Sequence, residues 1–153
     1  MELKSVNGMA LKLEIAGYEF PERETEEYDS NWLMISIDVT HPNGNWSVAN
    51  PCLLTYEVTY LADWLEGILD GKEIDRGIGF LEPSLEFDLS GLDETVNKNL
   101  RVTFHMELRP PWAEQRYDDG KAWVEFPLAE IDLRKASVQL REELKQFPQR
   151  ARN

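Results

Sequence analysis

The side chains equipped for chemistry are few. Two histidines, His41 and His105, and one cysteine, Cys52, make up the whole complement of imidazole and thiol groups. General acid–base catalysis draws mainly on His, Asp or Glu held in a cleft. His41 precedes Pro42 in a turn-forming run, and His105 shares a strand face with Arg101, Thr103, Glu107 and Arg109, so it reads as a half-exposed imidazole on a wetted sheet. Cys52 stands between Pro51 and Leu53-Leu54, the setting of a small buried hydrophobe, with no base in sight to activate it. One thiol permits no disulfide within the chain, and two histidines with one cysteine do not build a conventional zinc site. The serines spell neither G-x-S-x-G nor S-x-x-K, and the glycines neither GxGxxG nor GxxxxGK[ST]. No catalytic residue, cofactor or metal ligand is assigned, and the chain is not read as an enzyme.

The carboxylates carry a different message. The chain has 29 Asp and Glu against 16 Lys and Arg, a net charge of −13 over 153 residues. They are unevenly spread: residues 134–153 hold six bases and two acids, which leaves residues 1–133 at 10 bases and 27 acids, or −17 against +4. A field of that sign repels nucleic acid and steers cationic partners inward. Its densest stretch is Glu19–Asp29, with six acids, one base (Arg23) and Pro21 to break regular structure. A charge run is ordinarily a solvated loop. Within it Glu22, Glu24, Glu26, Glu27 and Asp29 form a candidate partner-binding surface, with Tyr28 as an anchor. Binding hot spots favour Tyr and Trp, so Trp46, Trp112 and Tyr117, in or beside expected loops, are further candidates that equally suit a core.

The elements that must position these residues follow from hydrophobic period. Leu11, Leu13 and Ile15 alternate with charges, as do Leu33, Ile35, Ile37 and Val39 with Met34, Ser36 and Asp38, predicting two strands. His41-Pro42-Asn43-Gly44-Asn45 predicts a turn and an antiparallel return through Trp46-Ser47-Val48. Val58, Leu61, Ala62, Leu65, Ile68 and Leu69 fall on one helical stripe ending at Gly71. Short strands at 76–81 and 85–89, a long one from Leu100 to Leu108, and one at 123–126 come next. A second helix carries Leu133, Ala136, Ser137, Leu140, Leu144 and Phe147 before Pro148. The expected fold class is α+β: mainly antiparallel sheet, either one curled sheet or a two-sheet sandwich, with one mid-chain and one C-terminal helix. The length suits one domain over residues 1–153, with 149–153 frayed. No apolar run approaches a membrane span and no secretory leader opens the chain, so a cytoplasmic location is expected.

Four strings add a resemblance: Gly17-Tyr18-Glu19-Phe20-Pro21, Tyr28-Asp29-Ser30-Asn31-Trp32-Leu33, Pro51-Cys52-Leu53-Leu54-Thr55 and Phe80-Leu81-Glu82-Pro83. Together, and over most of the chain from about Leu11 to Phe147, they resemble the small bacterial WapI-type immunity proteins. The resemblance implies a cytosolic antidote that binds a cognate toxin domain, often a nuclease, and blocks it without chemistry of its own. It brings no residue pattern for the toxin contact, so the candidate residues rest on charge and exposure. The competing reading is a small-ligand or housekeeping module whose acidity serves solubility alone; an enzyme using carboxylates is a third.

Overall fold

A computed structural model describes residues 1–91, 98–113 and 122–151. Within them the chain forms two four-stranded antiparallel sheets and two helices, an α+β arrangement. The first sheet is a meander of β1 (Glu2–Lys4), β2 (Ala10–Tyr18), β3 (Trp32–Thr40) and β4 (Trp46–Leu54), paired in chain order. Helix α1 (Thr55–Leu69) leads to the second meander, β5 (Gly77–Gly79), β6 (Leu85–Ser90), β7 (Asn99–Phe104) and β8 (Ala122–Pro127), and α2 (Leu133–Gln146) follows. The open choice between one curled sheet and two sheets thus resolves to two.

The alternation that predicted β2 and β3 is what seals them. Leu3 of β1, Leu11 and Leu13 of β2, and Leu33, Ile35, Ile37 and Val39 of β3 are buried, while Lys12 and Asp38 face water. In the same core cluster are Phe87, Leu100, Val102, Phe104, Val124 and Phe126 of the second sheet and the stripes of both helices. Trp46 of β4 meets Phe104 of β7 edge-on at 5.3 Å, an aromatic bridge between the sheets.

Both helices end as their sequences direct. Asp132 caps α2 by accepting the Lys135 amide at 2.9 Å. At the start of α1 the buried Glu57 carboxylate reaches back to the Leu54 amide at 2.8 Å and across to the Leu81 amide at 2.6 Å, tying the helix to the segment before β6. Past α1, Gly71 takes φ +61°, and Lys72 donates to the Gly67 carbonyl at 3.1 Å, closing the last turn in a conformation that favours glycine. The helices pack on each other through Arg141, which binds Glu66 (2.9 Å) and Asp63 (2.6 Å), with Ser137 donating to the same Glu66. Glu143 of α2 accepts the Ile15 amide at 2.6 Å, joining that helix to β2 beside its bulge.

Three expectations need correction. β4 runs on to Leu54, through Pro51 and a register shift opposite Leu33 and Met34, where the sequence suggested only Trp46–Val48. β7 stops at Phe104: Met106 adopts φ +49° and the chain turns over Met106–Leu108, so the alternation to Leu108 does not continue the strand. The strand expected over 76–81 shortens to Gly77–Gly79, leaving Leu81 exposed.

Candidate functional site

The candidate acids sit on the link between β2 and β3. Glu22, Glu24, Glu26, Glu27 and Tyr28 are all exposed, Tyr28 by 52%. Asp29 differs: it is half-buried, opens a single 3-10 turn (Asp29–Asn31) and pairs with Arg23. Among the described residues no ion pair engages Glu22, Glu24, Glu26 or Glu27.

What fixes this link is Asn31, fully buried at the end of the turn. Its amide nitrogen donates to the carbonyls of Glu27 and Arg150, both at 2.7 Å. Its amide oxygen accepts from the Thr55 hydroxyl at 2.9 Å and the Arg150 amide at 2.8 Å. One side chain therefore joins the acidic link, the first turn of α1 and the chain end. Arg150, placed by the sequence in a loose tail, continues the clasp. Its guanidinium donates to the carbonyls of Pro21 (3.1 Å) and Arg23 (2.8 Å) and covers the Tyr18 ring at 3.5 Å. Tyr18 in turn donates to the Pro148 carbonyl at 2.5 Å and meets Phe147 edge-on.

The Asn31–Thr55 bond ties the link that carries the acids to the first turn of α1. There Tyr56 and Tyr60, one turn apart, have ring centroids 5.9 Å apart, and Tyr60 is 56% exposed. Burial first, and then the charges of Glu57, Tyr28, Glu27 and Tyr60, push the Tyr56 hydroxyl up from its ordinary value. Of these three tyrosines the sequence reading named only Tyr28, beside Trp46, Trp112 and Tyr117 elsewhere. Tyr56 and Tyr60 fall on the side of α1 opposite its apolar stripe, a signal present in the spacing but silent about the link that comes to lie against it.

The other candidates belong to the framework. Trp46 is buried; Trp112 stacks on His41 at 4.8 Å and donates to the Gly44 carbonyl at 3.0 Å, so both pack under the β3–β4 turn. Burial pushes the His41 imidazole down from its ordinary value. Tyr117 falls outside the described residues. His105 is less open than expected, its side chain 13% exposed and its Nε2 3.3 Å from Glu86. Cys52 is buried, and burial, with the charges of Glu57 and Glu82, pushes its thiol up to about 12, so no thiolate is available near neutrality.

A second polar surface, the outer face of β6–β8, offers a contrast. Arg101 pairs with Glu125 at 2.7 Å and leans over the half-exposed Trp123 at 5.3 Å, while Ser90 donates to the same Glu125 at 2.9 Å. There Arg101 and Glu125 satisfy each other, whereas Glu22, Glu24, Glu26 and Glu27 have no ion pair among the described residues.

Two meanders joined by a helix, a second helix after them and an exposed acidic link define an α+β protein. The chain belongs to the immunity protein WapI-like family, whose model matches residues 2–148. No curated protein and no solved structure matches it significantly. It is an immunity protein by family, and no helix among its described residues is long and apolar enough to cross a membrane.

Proposed function

We propose that this immunity protein binds a toxin domain of basic charge, a nuclease being the best match, and neutralises it by occupying the surface that would bind nucleic acid. The observation that carries the reading is the run Glu22, Glu24, Glu26 and Glu27, exposed and without ion pairs among the described residues, on a chain of net charge −13. A nucleic-acid-cleaving domain presents a cationic groove, and a fixed anionic surface competes there with the polyanionic substrate. Inhibition by binding needs no catalytic residue and no cofactor. The antidote acts in the cytoplasm, where such a toxin would find its substrate.

The test is recovery of the partner from the source cell's lysate at low salt on the tagged protein. A basic domain released as salt rises, and inactive while bound, supports the reading. Changing Glu22, Glu24, Glu26 and Glu27 to Gln and Asp29 to Asn then slows association with that domain and flattens its salt dependence. Unchanged binding kinetics would remove the acidic link from the interface, and retention of no protein at low salt would turn attention to small ligands.

A further inference from the structure

The aromatic groups around the acidic link fall into two sets. Tyr18 is covered by the Arg150 guanidinium at 3.5 Å, and Phe20 carries Arg23 at 5.2 Å. On the far sheet Trp123 carries Arg101 at 5.3 Å. In each case the cation over the ring is an arginine of the same chain. Tyr28 and Tyr60 are more than half exposed, and among the described residues no cation covers them or Tyr56. Tyr28 directly follows Glu26 and Glu27, and the Asn31 side chain binds both the Glu27 carbonyl and the Thr55 hydroxyl, which brings this run to the first turn of α1; among the described residues neither carboxylate has an ion pair.

A guanidinium is planar, stacks on an aromatic face and forks onto a carboxylate at once, whereas a lysine ammonium is a compact, strongly hydrated point charge. Rigid tyrosines with two torsions each present such a face at low entropic cost. We propose that Tyr28, Tyr56 and Tyr60, flanked by Glu26 and Glu27, form an arginine-receiving face, and that the partner docks through arginine side chains laid on these rings. The proposal rests on the reading of the chain as a toxin-binding protein and extends its surface from the β2–β3 link onto α1. The acids speed encounter with any cation; the rings select arginine and slow its departure.

The test titrates the full chain, with its tyrosines isotopically labelled, against oligoarginine and oligolysine of equal length at an ionic strength of about 0.15 M. The expected result is binding about two- to fivefold tighter for oligoarginine, the scale of exposed cation–π contacts, with the largest shifts at Tyr28, Tyr56 and Tyr60. Tyr28→Ala with Tyr60→Ala, both at exposed positions, abolishes the preference while the thermal melt is kept. The Phe pair retains it, and Glu26→Gln with Glu27→Gln weakens both peptides alike. Equal affinity for the two peptides, a preference that survives the alanine pair, or shifts confined to tyrosines other than these three overturns the proposal. The two readings part cleanly: a recovered toxin domain that binds the alanine pair as tightly as the native chain removes the arginine face and leaves the antidote, whereas an arginine preference with no toxin recovered does the reverse.

Discussion

Asn31 holds Arg150 by both of its backbone polar groups, accepting the amide at 2.8 Å and donating to the carbonyl at 2.7 Å across 119 residues of sequence. A single amide side chain thereby pairs with the chain end as a neighbouring strand would. Because the same side chain also binds Glu27 and Thr55, the acidic link, the tyrosine-bearing helix and the chain end share one fixed point.

Asn31→Ala leaves buried polar groups of three segments without their partner, a cost of about 2 kcal/mol. The urea midpoint falls accordingly at unchanged slope, and amide exchange quickens first across residues 19–31.

Removing the chain beyond Pro148 deletes the Arg150 clasp but leaves α2 whole. The expected outcome is faster amide exchange over residues 19–28 with a small loss of global stability. Equal exchange in the two proteins would show that the link is ordered by its own turn.

Glu66 binds Arg141 and Ser137, and these hydrogen bonds, led by the guanidinium, lower its carboxyl from 4.5 to about 2. A depressed folded value stabilises the fold above pH 4.5, and the contribution disappears as pH falls through the window down to about 2. The pair is partly open to water, so about 1 kcal/mol is a fair measure after screening. Arg141→Met returns Glu66 toward its ordinary value; stability then depends less steeply on pH between 4.5 and about 2 than in the native chain, as acid titration of the urea midpoint will read.

Cys52 reacts only when the protein opens. With its thiol raised to about 12, disulfide reagents at about pH 8 find essentially no thiolate in the native state. Labelling should follow global unfolding and accelerate in step with added urea; rapid labelling in buffer alone would contradict the buried setting.

Gly67 sits in α1 where an added Cβ would come within 2.7 Å of the Ile74 Cγ2. Alanine gains about 1 kcal/mol in helix propensity, but overpacking against a branched side chain costs about 1–3 kcal/mol. Gly67→Ala is expected to lower the melting temperature, and pairing it with Ile74→Ala removes the clash, so the two changes together cost less than their sum.

The sequence was most legible where burial imposes a period. Leu33, Ile35, Ile37 and Val39 name β3 outright, and the stripe Val58, Leu61, Ala62, Leu65 names α1, because one wetted and one dry face leave little freedom of register. It was least legible where local geometry outweighs pattern. Nothing in Glu2–Lys4 marks β1, a three-residue strand fixed by its pairing with Ala10–Lys12. The expected return through Trp46–Val48 extends to Leu54 because β4 absorbs Pro51 with a register shift. His105–Leu108 keeps a strand's alternation although Met106 turns the backbone away. The acids of the link and their exposure were readable from composition. The tie between the link and α1 was not, since it depends on the Asn31–Thr55 hydrogen bond between segments that share no pattern.

The clasp at Arg150 also sets an order in time. Each meander joins strands adjacent in sequence, so its hairpins can close soon after they leave the ribosome. The β2–β3 link is made early but waits until Arg150, 119 residues after Asn31, arrives to hold it. The nascent protein thus carries its acidic residues long before it carries them in a fixed arrangement, and translation itself delays the finished surface until Arg150, beyond the end of α2, has been synthesised.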